Sequence, residues 1–371
     1  MSVVAAALPA PLSFTDGPPR RVLVVITRRI GDVLLATPVL RSLKKAWPGV
    51  SIDVLAFAGT EGFLMSNPNV RQVLTIAERP GFLKHLRFVL GFARRYDLAL
   101  SLVPGDRPTI YAWIAGRRRA GLLLDDRKHA WKRRLLDAWV PFDDRETHTV
   151  RMHLALLGAV GVSPAADVRA SWTHEDENLV ARLLEPLGSA RYAVMHPYPK
   201  FRYKMWTREG WVAVANWLTA RGYRVVLTGG PDADERTYVS SIAKDVPDAL
   251  NVAGKLSLGA TALTICRAAV YIGPDTAITH AAAALGVPTV ALYGPTNPVK
   301  WGPWPAGHAG DANPWVRVGS QSAGNVRLVQ GQAVCVPCGL EGCQRHIEST
   351  SDCLTTLAPE RVTEAIRELI G

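Results

Sequence analysis

From residue 21 to 27 the chain reads RVLVVIT, an unbroken apolar and β-branched run. That is the pattern of a strand covered on both faces of a parallel sheet, not of one with a wet side. Gly31 then opens a stretch with Val33, Leu34, Ala36, Leu40 and Leu43 on one broad face, which predicts a helix. Further strands are predicted at 52–57, behind the Pro48-Gly49 break, and at 72–76 and 98–102, with helical stretches at 81–94 and 109–115. This alternation implies parallel strands joined by right-handed crossovers. The pattern restarts near Arg191, with strands at 192–195, 223–228, 269–272 and 289–293. Helices are predicted there at 208–220, 232–243, 258–268 and 276–285, and a last one at 359–370.

Two restarts of one pattern in 371 residues predict two α/β domains, each with its own core. The expected fold class is α/β: two doubly wound, Rossmann-like domains facing across a cleft, with ligands at the carboxyl ends of the strands. Segment 162–187, with Ser163-Pro164 and an acidic helix, contains the hinge. The boundaries follow: 1–19 a disordered lead-in, 20–188 the first domain, 189–357 the second, and 358–371 a closing helix that packs back toward the first domain. The lead-in lacks a basic start, and Pro9 and Pro11 interrupt its apolar stretch, which argues against a secretory leader. No run of roughly 20 apolar residues is present to span a membrane.

Charge adds one feature. The net charge is +11, and residues 71–134 hold 15 Lys or Arg against 5 Asp or Glu. Arg117-Arg118-Arg119 and Lys132-Arg133-Arg134 lie among Trp113, Trp131 and Trp139. Most charge runs are solvated surface, but such a patch attracts phosphates: nucleic acid, anionic lipid headgroups or an acidic glycolipid. Charge alone does not choose among them.

Three loops fall at predicted strand carboxyl ends. In Thr27-Arg28-Arg29-Ile30-Gly31-Asp32, Gly31 permits a tight strand-to-helix turn, and Asp32 lies in the first helical turn. A carboxylate there is often only a helix-start residue; flanked by two arginines at a cleft edge, it can also take the proton of an acceptor hydroxyl. The segment from His196 to Trp206 packs Lys200, Arg202 and Lys204 among Tyr198, Phe201, Tyr203 and Trp206, cations for phosphates and rings for a base or sugar. In Gly273-Pro274-Asp275-Thr276-Ala277-Ile278-Thr279-His280, Asp275 or Thr276 can cap a helix whose free N–H groups form a phosphate cradle. His280 sits one turn in, where a lone histidine is more often a packing residue than a catalyst.

Taken together, Gly31-Asp32 with Thr37-Pro38, Lys204-x-Trp206, Gly273-x-Asp275-Thr276 with His280, and Tyr293-Gly294-Pro295-Thr296 resemble glycosyltransferase family 9, which contains the ADP-heptose:lipopolysaccharide heptosyltransferases. The resemblance runs from about Arg20 to the last helix. It implies a GT-B fold, inversion at the anomeric carbon, no catalytic metal, and an ADP-heptose donor. The implied acceptor is an acidic inner-core glycolipid, reached by a cytoplasmic protein peripheral to the inner membrane of a Gram-negative bacterium. It makes the first domain acceptor-binding and the second nucleotide-sugar-binding. Asp32 becomes the general base. Lys204, Trp206, Asp275, Thr276, Ala277 and His280 become donor contacts, with Lys204 on the diphosphate and the amides of Thr276 and Ala277 on a phosphate. Asp232 or Glu235 becomes the ribose ligand, the choice left open. Arg28, Arg29, Arg79, Lys84, Arg117 and Arg118 become acceptor contacts.

Other readings weigh against these. A dehydrogenase lacks its Gly-x-Gly-x-x-Gly after either first strand. A family member with another nucleotide sugar or a protein acceptor, and a non-catalytic nucleotide- or nucleic-acid-binding module, stay open. Four cysteines cluster as Cys335-x2-Cys338-x4-Cys343-x9-Cys353, a set that suits a structural tetrathiolate zinc or iron as well as it suits four reduced thiols. Cys266, in a helical stretch, is expected to be buried.

Overall fold

The computed structural model describes residues 11–15 and 17–371, with the side chains of Phe82 and Lys84 excepted. Most of the expected disordered lead-in, and the Lys84 side chain assigned to the acceptor, lie outside the described residues. The chain divides into two compact units, 1–168 and 169–371, so the boundary precedes the acidic helix that the sequence assigned to the first domain.

In the first unit the order is β1 (Arg21–Ile26), α1 (Ile30–Leu35), α2 (Thr37–Ala46), β2 (Ser51–Phe57), β3 (Gln72–Ile76), α3 (Phe82–Leu90), β4 (Tyr96–Ser101), α4 (Asp106–Ala115), β5 (Gly116–Leu123), β6 (Ala138–Pro141) and α5 (Thr149–Gly158). Its six strands are all parallel, ordered β3-β2-β1-β4-β5-β6. The strand order reverses direction between β1 and β4, so the loop after β1 sits at the switch point where a doubly wound sheet opens a crevice. Val22 to Ile26 are all buried, as their unbroken apolar run requires.

Two differences from the sequence pattern have local causes. The first predicted helix is two, α1 and α2, because Pro38 stands in the first turn of α2 and cannot continue α1. Gly31 lies inside α1 and is not among the glycines with positive φ, so its role is not the tight turn expected of it. Strand β5 shows in the sequence only as a basic patch, because its first residues are Gly116-Arg117-Arg118-Arg119 and the buried half begins at Ala120. Strand β2 carries a buried carboxylate that its apolar pattern does not announce. Asp53 accepts from the Arg71 guanidinium, from Gln72 Nε2 at 3.0 Å and from the Tyr96 hydroxyl at 2.7 Å, which ties three strands together.

The second unit contains α6 (His174–Leu184), β7 (Tyr192–Met195), α7 (Arg208–Thr219), β8 (Arg224–Leu227), α8 (Ala233–Ala243), β9 (Leu250–Asn251), α9 (Leu258–Cys266), β10 (Val270–Pro274), α10 (Ala277–Ala284), β11 (Thr289–Tyr293), α11 (Pro298–Trp301), β12 (Gln321–Ala323), β13 (Val326–Gln330), α12 (Asp352–Thr355) and α13 (Pro359–Ile370). Strands β9-β8-β7-β10-β11-β13 are parallel in that spatial order, and β12 closes the edge antiparallel. The topology of the first unit is thus repeated, with the switch point between β7 and β10.

The closing helix α13 buries Val362, Ala365 and Ile366 in the core of its own unit, beside Trp211, Val214 and Leu218 of α7. It is a layer of the second domain. The loop after α11 is core as well: Trp304 and Trp315 are buried, and Trp315 Nε1 donates to the Pro303 carbonyl at 3.0 Å. No helix among the described residues is long and apolar enough to cross a membrane.

Candidate active site

At the switch point of the first unit, Asp32 occupies the first turn of α1 and is buried, 9% exposed. Arg28, half-exposed, places its Nε 3.7 Å from Asp32 Oδ1. Arg29, the residue before the helix, is exposed, and so is Arg79 in the segment following β3 at the same strand ends. A buried carboxylate at a sheet crevice, with a guanidinium on one oxygen, is equipped to receive a proton in an environment of few waters.

Arg117 and Arg118 do not join it. They stand at the amino end of β5, where Leu98 pairs with both Val22 and Arg118. Ile26, from which the Asp32 loop departs, lies four residues further along the sheet, or roughly 13 Å at the rise of a strand. They therefore lie at the opposite strand ends from Arg28, a separation that their place in one basic run of the sequence does not show.

The second unit has the denser site. Asp275, at the carboxyl end of β10, is buried and central. Lys204 Nζ donates to its Oδ2, the Thr296 hydroxyl donates to it, His280 Nε2 lies 3.9 Å from its Oδ1, and the Tyr293 hydroxyl lies 3.4 Å away. Burial alone would push the Asp275 carboxyl up; Lys204 and then His280 outweigh it and hold it below the usual carboxylate range. Burial keeps His280 neutral, with its pKa down at about 4 although Asp275 pulls the other way. Its Nδ1 is buried with no hydrogen-bond partner among the described residues. Tyr293 also donates to the Trp301 carbonyl at 2.6 Å, which fixes its ring.

The helix cap is Thr276, not Asp275: the Thr276 hydroxyl accepts from the Thr279 amide, while Asp275 turns inward to the lysine. The first amides of α10, Ala277 among them, have no carbonyl one turn behind them and remain an anion cradle. Gly273 is required by packing, since a Cβ there would run into the Tyr271 hydroxyl and fall 2.9 Å from Thr279 Oγ1.

Beside this group, at the ends of β7 and β8, His196 Nδ1 lies 3.0 Å from the Thr228 hydroxyl and its Nε2 lies 4.0 Å from Glu235 Oε1. Burial lowers His196 to about 4. Glu235 is tucked under the Gly229-Gly230 loop, where a Cβ on Gly230 would stand 2.8 Å from its Oε2. Burial raises its carboxyl, against the Gly230 amide that donates to it. Asp232 is exposed and spends Oδ1 on the amides of Asp234 and Glu235 as the cap of α8.

Trp206 is corrected. Its indole is buried edge-on against Trp211, with centroids 5.1 Å apart, and Nε1 donates to the Leu357 carbonyl at 2.9 Å, so it is a core residue with no face for a donor. In the cysteine segment, burial, then the nearness of Cys338, Cys343 and Cys335, pushes the Cys353 thiol up to about 12. Among the described residues no group of three or more His, Cys, Asp or Glu is placed to hold a metal ion. Cys266 is exposed, not buried.

The profile of glycosyltransferase family 9 (heptosyltransferase) matches residues 92–310, more than half of the chain. The chain belongs to this family. Its fold is accordingly GT-B, and it is a glycosyltransferase. Lipopolysaccharide heptosyltransferase 3 of Escherichia coli is 32% identical over 286 residues, 74% of this chain and 83% of that protein. Lipopolysaccharide heptosyltransferase 1 of Pseudomonas aeruginosa is 28% identical over 290 residues, 75% of this chain and 79% of that protein. Among solved structures, the ADP-heptose lipopolysaccharide heptosyltransferase II of E. coli superposes with a TM-score of 0.73 at 20% identity, covering 94% of this chain and 98% of that one. The family match spans Lys204, Glu235, Asp275 and Thr296 but begins after Asp32, so the Asp32 site rests on its own geometry.

Proposed function

We propose that this family 9 glycosyltransferase transfers a heptosyl group from ADP-heptose, with inversion, to a hydroxyl of the acidic inner core of lipopolysaccharide at the cytoplasmic face of a Gram-negative inner membrane. The similarity to heptosyltransferases acting on lipopolysaccharide supports the sugar and the acceptor class. Asp32 takes the acceptor hydroxyl proton, the oxygen attacks the anomeric carbon from the face opposite the diphosphate, and the carbon–oxygen bond to ADP breaks. Arg28 and Arg29 flank the carboxylate and meet acceptor phosphate or carboxylate.

The observation that carries the reading is the Asp275 hub. It holds Lys204 by one of three ammonium donors and leaves the others for the departing diphosphate. The amides that open α10 take a second phosphate. Of the two acidic candidates for the ribose, Glu235 is favoured, because Asp232 already serves as a helix cap. The reading places Lys204, not a metal, on the leaving charge, and gives the cysteine segment no catalytic part.

Calorimetric titration with ADP, UDP, GDP and CMP in metal-free buffer tests this. A clear preference for ADP is expected. Preference for another nucleotide changes the sugar donor and overturns ADP-heptose; binding of none overturns the transferase site.

A further inference from the structure

Helix α3 has two apolar faces where a surface helix needs one. Its inner face is accounted for: Val89, with Phe92 just beyond the helix, lies in the core, Phe88 packs against that core, and His85 Nε2 is 2.9 Å from the Tyr111 hydroxyl of α4. Its outer face is Leu83, Leu86, Arg87 and Leu90, spaced i, i+3, i+4 and i+7 and so confined to one stripe. Leu83 is 78% exposed, Leu86 46% and Leu90 60%. Single exposed leucines are ordinary, but three in register on one helix are a patch that water penalises.

Along the segment that carries the stripe the charges are of one sign, with Glu78 and Asp97 just outside it. Residues 79–96 contain no Asp or Glu and hold Arg79, Lys84, Arg87, Arg94 and Arg95. Among the described residues, Arg79, Arg87, Arg94 and Arg95 form no ion pair, and all four are exposed. In the direction of the chain α3 returns from the carboxyl ends of the strands to their amino ends. Arg79 therefore stands before its start, and Arg94 and Arg95 beyond its end. The Arg94 guanidinium donates to the Gly116 carbonyl at 3.0 Å, which brings Arg117 and Arg118 to the same end.

We infer that the outer face of α3 is a membrane-docking surface that seats its leucines among the acyl chains and its arginines on the phosphates of anionic lipids. A leucine stripe within a cationic frame is the composition of an interfacial helix. The alternatives fit less well. A second copy of this chain, meeting the first about a two-fold axis, would set Arg87 and its neighbours against themselves. A nucleic acid would match the cations but offer the leucines nothing. This assignment rests on the reading of a lipid-borne acceptor and gives Arg117 and Arg118 the anionic partner that their distance from Asp32 denies them in the site.

The test uses the full-length protein with vesicles of phosphatidylglycerol and phosphatidylethanolamine, against vesicles of phosphatidylcholine alone, read by co-sedimentation. Wild type is expected to partition to the anionic vesicles and to release as salt rises. Leu83→Glu/Leu90→Glu is expected to lower the partition coefficient at least about tenfold. The milder Leu86→Ser and Arg87→Ser should each lower it less, with melting temperature and ADP affinity unchanged in all. Wild-type binding that the leucine variants do not alter overturns the assignment, as does no binding to anionic vesicles. A dimer in sedimentation velocity that Leu83→Glu/Leu90→Glu dissociates also overturns it. ADP affinity separates the two ideas: retained ADP binding without vesicle binding removes the docking face alone, and vesicle binding without nucleotide binding removes the transferase reading alone.

Discussion

The crevices of the two units have the same topology and different residues. In the first, Asp32 lies in the opening turn of α1 with the half-exposed Arg28 guanidinium 3.7 Å away. In the second, Asp275 binds a lysine, a threonine and, at longer range, a tyrosine and a histidine into one buried group. Under the proposed function the first crevice supplies a base for the acceptor hydroxyl, and the second supplies charges fixed beforehand to meet a developing diphosphate. The same topology would then serve two purposes, according to which side chains its loops supply.

The largest effect that would break this contrast is on Asp32. Asp32→Asn should lower turnover roughly 100- to 10,000-fold while leaving ADP affinity unchanged, measured by initial rates and calorimetry. Near-normal turnover would remove Asp32 from the chemistry and leave only one of the two crevices functional.

The hub should respond in both stability and binding. Lys204→Ala leaves the buried Asp275 carboxylate without its cation and should cost about 3 kcal/mol in denaturant unfolding, along with donor affinity. In Lys204→Ala/Asp275→Asn the stability should largely return and the donor affinity should not, since the unpaired charge is gone but so is the ammonium. If both recover together, Lys204 is only structural.

A smaller effect sharpens the picture of the second unit through pH. His196 and His280 are held near 4 when folded and titrate near 6.5 when unfolded. Because the folded values are depressed, the unfolded chain binds protons first, so this stability is complete above about 6.5 and is lost as pH falls from there toward 4. Each histidine contributes on the order of 3 kcal/mol to that fall. The melting temperature should drop between pH 7 and pH 4.5, and His196→Asn should flatten the slope. A wild-type melting temperature flat over that range would show that these rings are not buried neutral.

Sequence reading found the loops that end β1, β7 and β10, because chemistry at a strand end leaves a mark in the chain: an apolar run stops and charged or small residues follow at once. It could not find Thr296 and Tyr293 as partners of Asp275, since 18 or more residues separate them along the chain. Nor could it separate Trp206 from the other rings near it. Trp206 and Tyr198 share one short segment, and only packing against Trp211 and Leu357 turns the former inward.

By itself, the order of apolar and polar residues determined two α/β units of parallel strands, the position of Asp32 at a helix start, and the basic bias of the first unit. Those depend on periodicity and on neighbours a few residues away, which a linear reading contains. Only the tertiary structure decided that Thr276 caps the helix while Asp275 holds Lys204, that α13 belongs to the second core, and that β5 carries Arg117 and Arg118 away from the crevice. The physical reason is common to all three. Burial and pairing are set by which surfaces meet after the chain closes on itself, and a side chain's partner is then fixed by distance in space.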